Sequence, residues 1–419
     1  MKKSDWLPLA VVFASIYFFS MNGLGALPGL AINFLLKDQA GLNPSQLAYF
    51  QAVTFIAWVI KPLWGMISDL FPIFGSRRKS YLVLTSLCAA AGWLMLAFLP
   101  DQSAAIPLMV LMTLIYMAYA FQDVVSDGLM VETGQPLNMT GQFQSIQWAA
   151  VYAAMIITSF CGGYIAEFAQ RGIWTYKAIF GLTAVFPLLT VMIVLAAVRE
   201  PPRTHLAQEA QAGLRDVFRH RGIWVLSGFL FLWNFSPSFG APFFYYTVDQ
   251  LKFSPSFLGI LQAVSSAGAL LGSMLYGTIC TRFPVRKFLF AAVLIGVSAT
   301  LSYFVYFIPW IVVHGTFLKT FAFLMNFFLG VAGAVIFLAL LNLAAKVSPQ
   351  YAGGTVFALL MSFYNLGQMG SSALGGFLFS RIGLEPLILV SAAFSLLALI
   401  LIPYLPDKSA ESPVPAEGS

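Results

Sequence analysis

Lys61, Asp123, Asp127 and Glu132 are ionisable residues lying in, or at the edge of, long apolar runs. A charge inside a bilayer costs at least a few kcal/mol and normally faces a partner or a water-filled path. One cation on an early run and a group of carboxylates on a later one therefore suggest a polar pathway through a helical bundle. Asp123 and Asp127 are four residues apart and share a helix face. Glu132 lies nine residues beyond Asp123, about 900° of turn, and points the other way. Counted from the start of each run, Lys61 and Asp123 both lie roughly 25 Å in at ~1.5 Å per residue, so the two can meet. Two kinds of chemistry fit this group. It can be a structural ion pair that locks part of the bundle. Alternatively, one acid, with Asp123 the first candidate, takes up a proton where burial or its carboxylate neighbour disfavours the charge.

The elements that must position these groups follow from composition. Of the 419 residues, 59% are hydrophobic and 9% charged, and mean hydropathy is +0.84. That ratio excludes a soluble domain and implies an all-α membrane protein, since the runs are long and non-alternating. The sequence pI near 9.1 is explained by basic loops on one side of a membrane and calls for no nucleic acid. Cys88, Cys161 and Cys280 lie in apolar runs without metal-like spacing and imply no disulfide. Lys2 and Lys3 before an apolar run could open a signal peptide. The run continues to about Leu36 without a cleavage site, which favours a first transmembrane helix.

At roughly 20 apolar residues per span, the sequence predicts twelve transmembrane helices: 7–35, 45–68, 80–99, 105–131, 141–168, 175–198, 222–248, 254–281, 287–312, 317–346, 351–381 and 385–405. The division expected is an N-terminal six-helix bundle over 1–198, a polar linker at 199–221, a second bundle over 222–405 and a disordered tail at 406–419. In the loops and at the span ends, 15 Lys and Arg residues fall on one side, among them Arg77, Arg78, Arg199 and Arg286, and 6 on the other, among them Lys37 and Lys252. This bias predicts both termini and the linker in the cytoplasm of a cell whose plasma (inner) membrane holds the chain. The halves read as repeats. Gly65 and Gly277, and again Gly141 and Gly353, stand 212 residues apart at equivalent helix ends. Parallel repeats of this kind mark a two-bundle transporter with its solute held between the bundles.

The loop Gly65-x-x-x-Asp69 to Gly75-x-Arg77-Arg78 resembles the loop signature of the major facilitator superfamily, with Phe71-Pro72-Ile73-Phe74-Gly75 lengthening it. That longer form, with Lys61-Pro62-Leu63-Trp64-Gly65, Asp123-Val124-Val125-x-Asp127, Val131-Glu132 and Gly141-x-x-Gln144-Ser145 before Trp148, resembles the folate–biopterin transporter family. In the second half, Phe253-Ser254-Pro255-x-Phe257-Leu258-Gly259 resembles the start of that family's eighth span. Where close members carry an acid just after the proline of span seven, this chain has Ser238, Phe239 and Gly240 after Pro237. The resemblance implies a major facilitator fold, alternating access, and secondary, proton-coupled symport of folate or a related pterin. Two alternatives stand beside it: a permease for another organic anion or a muropeptide-like solute, and a non-transporting membrane assembly factor on the same fold.

Substrate contacts are expected from Asn22, Tyr119, Asp123, Asn234, Asn326, Tyr364 and Asn365, with Tyr17, Tyr116, Tyr152 and Trp233 near the same depth. An amide in hydrocarbon needs a partner, which favours the asparagines. Asn234 stands out because Ser236, Pro237, Ser238 and Gly240 after it predict a helix break that lines a cavity. Lys61, Asp123 and Asp127 form the coupling group or ion pair. Asp69, Arg77, Arg78 and Glu132 form a gate at the cytoplasmic rim. Glycines at 162, 163, 268, 272, 367, 370, 375 and 376 predict close helix approach. The sequence shows no ATP-binding loop, metal cluster or catalytic triad. This implies no enzyme, cofactor or metal; the expected partners are a small solute, a proton and the lipid bilayer, with the chain a monomer.

Overall fold

The computed structural model describes residues 6–20, 23–134, 137, 139–198, 200, 221–278, 284–347 and 353–405. Asn22, Cys280, Thr281, most of the linker at 199–221 and the tail at 406–419 lie outside the described residues.

Among the described residues every regular element is helical. The first span is α1 (Trp6–Phe19) and α2 (Gly29–Phe34), the latter running on as a π-helical turn over Leu35–Gln39. The second is assembled from α3 (Pro44–Thr54), α4 (Ile56–Val59) and α5 (Lys61–Leu70). Asn43 starts α3 through a reciprocal capping box with Gln46, and Pro44 occupies the first turn, where its missing N–H costs nothing. Then follow α6 (Lys79–Ala97), α7 (Ala105–Gly134), α8 (Thr140–Gln170) and α9 (Tyr176–Ala197). The later half holds α10 (Arg221–Asn234), α11 (Gly240–Asp249), α12 (Pro255–Thr278), α13 (Val285–Leu301), the short α14 (Pro309–Val313), α15 (Gly315–Val347), α16 (Gly353–Ile382), α17 (Leu384–Ser395) and α18 (Ala398–Leu401).

Among the described residues, ten helical segments are long and apolar enough to cross a membrane. Apolar side chains such as Val110, Leu114, Met192 and Phe328 stand on the outer surface, as lipid contact requires. The seventh and eleventh of the twelve expected spans fall short of that measure for different reasons. The seventh is cut between α10 and α11, so neither piece is long enough. The eleventh, α16, is an unbroken 30-residue helix diluted by glycine and serine.

The first six spans meet the later ones along two seams, α8 against α12 and α3 to α5 against α16. Missing side chains make the first seam possible. A Cβ on Gly163 would stand 2.8 Å from the Gly259 Cα, so the two backbones touch. Within the later half, Gly268 and Gly272 of α12 lie on the backbone of α15 in the same way.

The predicted break in span seven is present, but its freed backbone is used for packing. Ser238 N–H donates to the Ser371 carbonyl at 2.9 Å, the Ser371 hydroxyl donates to the Ser236 carbonyl, and the Ser236 hydroxyl donates to the Ser391 carbonyl at 2.7 Å. The break is thus sewn to α16 and α17 and contributes no residue to the central cavity.

Candidate functional site

A cavity of about 410 Å³ lies between the first six spans and the later helices. That is within the usual ~300–1,000 Å³ of small-molecule sites. One wall carries charge. Lys61, at the start of α5 where Pro62 follows in the first turn, extends its ammonium to Asp123 Oδ2 at 2.5 Å and lies 4.8 Å from the Trp58 ring centroid. Asp123 and Asp127 sit one turn apart on α7. The Tyr17 hydroxyl of α1 reaches both, 3.0 Å from Asp123 Oδ1 and 2.7 Å from Asp127 Oδ1. One ammonium thus faces two carboxylates. Asp123 holds the lysine and is buried, whereas Asp127 is only part-buried and takes Tyr17 as its one hydrogen-bond donor among the described residues. One negative charge on this wall is left for a proton or a donor-rich solute to balance.

The wall is stiffened from behind. Gln122, next to Asp123, points away from the cavity, accepting from the Ser20 hydroxyl and donating to Ser86 Oγ at 2.6 Å. Trp93 Nε1–H donates to the Tyr119 hydroxyl at 2.9 Å, and Gly25 leaves room for that ring. Among the described residues the facing wall, from α15 and α16, carries no charge. It presents Phe337, Leu341, Phe357 and Met361 with three polar groups, Tyr364, Asn365 and Gln368. Asn365 crosses the seam to donate to the Trp58 carbonyl at 2.9 Å, and Trp148 of α8 meets Phe337 edge-on at 4.7 Å between centroids.

Of the expected contacts, Tyr119, Asp123, Tyr364 and Asn365 line the cavity, as do Lys61 and Asp127, Tyr17 and Tyr116. Asn234 does not line it; its amide lies within reach of the Tyr364 hydroxyl, one layer behind. Asn326 is also absent from the lining, because its amide donates to the Ala322 carbonyl of its own helix at 2.8 Å. Asn22 is outside the described residues. Tyr152 packs with Trp148, and Trp233 with the core of the later half. Sequence reasoning missed Trp58, Phe337 and Gln368 as lining residues. Aromatic residues in apolar runs give no sign of which way they face.

Asp69, Arg77, Arg78 and Glu132 converge at one end of the bundle. Arg78 Nη2 lies 2.8 Å from Asp69 Oδ1 and 2.9 Å from Glu132 Oε1, Nη1 donates to Ser68 Oγ at 2.8 Å, and Arg77 stands 3.6 Å from Glu132. Burial opposes the Arg78 charge, and the two acids outweigh it, raising its pKa. The guanidinium lies against Gly128, where a Cβ would come within 2.8 Å of it. Glu200 completes the cluster and was missed. It accepts the backbone N–H groups of Arg77, Arg78 and Lys79 at 2.9, 3.0 and 3.0 Å and the Ser76 hydroxyl at 2.5 Å. An N-cap arginine before α6 was the available signal, because its own side chain cannot accept the first N–H groups of the helix. All these bonds stay within the first six spans and Glu200. At the opposite end the two halves are joined directly. Lys37 pairs with Asp249 at 2.8 Å, and the Tyr245 hydroxyl donates to the Leu42 carbonyl.

A helical membrane protein with two packed halves, a cavity between them and ionisable groups on its wall has the form of a solute transporter. Solved structures agree on the fold. The chain superposes on a D-xylose–proton symporter with a TM-score of 0.73 at 15% identity, covering 96% of this chain and 98% of that one. It superposes on the nucleoside transporter NupG at 0.67 and 14% identity, covering 94% and 98%. The fold is that of the major facilitator transporters.

The sequence model of the BT1 family matches residues 22–413, and the chain belongs to that family. It is 32% identical to the folate-biopterin transporter of Synechocystis sp., over 96% of this chain and 81% of the relative. It is 26% identical to folate transporter 2 of Plasmodium falciparum, over 92% and 86%. The probable folate-biopterin transporter 4 of Arabidopsis thaliana shares 26% identity over 88% of each chain. The protein is an integral membrane transporter of a small molecule.

Proposed function

We propose that the chain is a secondary transporter of folate or a related pterin, working by alternating access and coupled to protons. The observation that carries this reading is the Lys61–Asp123–Tyr17–Asp127 group on the wall of a cavity shared by both halves. The names of the relatives support the solute class. The proton role, assigned from sequence to Asp123, moves to Asp127, because Asp123 is committed to Lys61. Tyr119, Tyr364 and Asn365 are the remaining solute contacts from the expected set. Asp69, Arg77, Arg78, Glu132 and Glu200 brace the cytoplasmic end of the first bundle, over 1–198, against the linker to the second, over 222–405. The basic bias supports an inner-membrane protein with both termini in the cytoplasm, and the cavity is lined by residues of both halves of one chain, which supports a monomer.

Uptake by purified protein in liposomes tests this. Biopterin or folate is expected to accumulate when the lumen is alkaline and to equilibrate without accumulation when the gradient is collapsed. Asp127→Asn is expected to bind and exchange solute without accumulating it. Accumulation by a folded Asp127→Asn protein at the wild-type level removes the coupling role.

A further inference from the structure

Resting on the alternating-access part of that reading, we infer that Asn365 is a positioning residue. Its amide latches the second half onto the Trp58 carbonyl, which Pro62 leaves without its helical donor, and so favours the state closed at the Lys37–Asp249 end. In an α-helix the carbonyl of residue i accepts the N–H of residue i+4. Residue 62 is proline and has no N–H, so the helical donor for Trp58 is missing. The second span is broken at the same place. Helix α4 ends at Val59, and Ile60 leaves helical geometry, with φ −90° and ψ 17°, before α5 begins. A carbonyl freed within a membrane span needs another donor.

Two carbonyls at this break take side-chain donors. The Trp64 indole N–H donates to the Ala57 carbonyl at 3.3 Å, within the same span, and its ring stacks on Phe121 of α7 with centroids 5.1 Å apart. The Trp58 carbonyl is served from across the seam, by Asn365 of α16 at 2.9 Å. Asn365 is buried and stands 307 residues away in sequence, so this bond holds only while the two halves meet here. Trp58 also touches the charged group, its ring centroid 4.8 Å from the Lys61 ammonium that holds Asp123. One residue thus meets the coupling group with its ring and the second half with its backbone. Trp58, Lys61 and Asn365 all line the cavity, so an entering solute arrives at the latch. Farther along the same seam, a Cβ on Gly376 of α16 would stand 2.9 Å from the Ala48 Cβ of α3. Ala48 is buried in this contact, which makes it a reporter of closure.

Thiol accessibility in the purified full-length protein tests the inference. The parent carries Ala48→Cys, with Cys88, Cys161 and Cys280 replaced by serine, and a charged methanethiosulfonate is the probe. Asn365→Leu, which removes the donor at similar volume, is expected to speed labelling by about five-fold or more, the scale of one net hydrogen bond. Pro62→Ala restores an N–H that competes for the Trp58 carbonyl, and should speed labelling with Asn365 still in place. The double variant should label no faster than Asn365→Leu alone, since both changes act on one bond. Asn365→Gln, which keeps an amide, should bring the rate part of the way back. Labelling at the parent rate in folded Asn365→Leu, or fully multiplicative effects in the double variant, overturns the inference and leaves alternating access in place. A lower melting temperature with unchanged labelling assigns the bond to static packing and overturns it too. If Ala48→Cys never reacts in a preparation that transports biopterin or folate, the alternating-access reading fails at this seam and the inference falls with it.

Discussion

At the residue scale, Asp123 and Asp127 look equivalent in sequence and are not equivalent in the structure. Their spacing placed both on one face of α7, and the depth of Lys61 made a pairing reasonable; both features are present. Which acid takes the lysine depends on how α5 sits against α7, and no spacing within either helix contains that. The two acids should therefore fail differently. Asp123→Asn takes from the part-buried Lys61 ammonium its contacting carboxylate, a loss that costs on the order of 3–5 kcal/mol in a fully buried pair and less here, since Asp127 stays nearby. Expression and melting temperature are expected to fall, and Lys61→Met on the same background is expected to restore them. Asp127→Asn removes no ion pair, so its melting temperature should stay close to the wild-type value while accumulation is lost. Thermal unfolding of the three variants checks this. A stable Asp123→Asn protein would mean that Lys61 has another partner.

At the element scale, the helix ends explain more than the helix interiors. The start of α6 has an arginine where a capping side chain is usual, and Glu200, more than 120 residues away, does the capping. Burial acts to raise the Glu200 pKa; the Ser76 hydroxyl and the N–H groups of Lys79, Arg78 and Arg77 outweigh it and hold the carboxylate below its ordinary 4.5. A depressed folded-state value stabilises the protein above the unfolded pKa, and that stability is lost as pH falls through the folded one. Glu200→Gln is thus expected to lower stability at pH 7 by on the order of 1 kcal/mol, as loss of a cap does. The difference from wild type should shrink once the pH drops below about 4.5, read as melting temperature against pH. A difference that persists undiminished in acid would show that the side chain acts by packing. The break between α10 and α11 carries a related lesson. Ser-Pro-Ser-Phe-Gly signalled the break correctly in sequence, but its partners, Ser371 and Ser391, lie more than 130 residues on. A local pattern could not show that its freed groups face α16 and α17 and not the solute.

For the whole molecule, the seam is closed at the end bearing Lys37 and Asp249, with Gly163 pressed on Gly259 beneath it. Lys37→Asp is expected to slow transport modestly, since a pair as exposed as Asp249 allows is worth about 0.2–1 kcal/mol. Lys37→Asp with Asp249→Lys is expected to recover the rate, measured as initial uptake. The basic bias predicts that reporters fused at Glu209 and at the C-terminus both read cytoplasmic; an extracytoplasmic signal from either sinks that orientation. Repeats and composition made the class of fold legible at once, whereas the seams depended on glycine contacts between helices far apart in sequence. The uncharged second wall finally bears on electricity. A neutral pterin moved with one proton carries one positive charge per cycle, and a potential of 100 mV acts on that charge with about 2.3 kcal/mol. An interior-negative membrane would then add roughly fifty-fold to the accumulation a pH gradient alone could drive. The same potential would push back on a doubly anionic solute carried with one proton, so the voltage itself would sort solutes by charge.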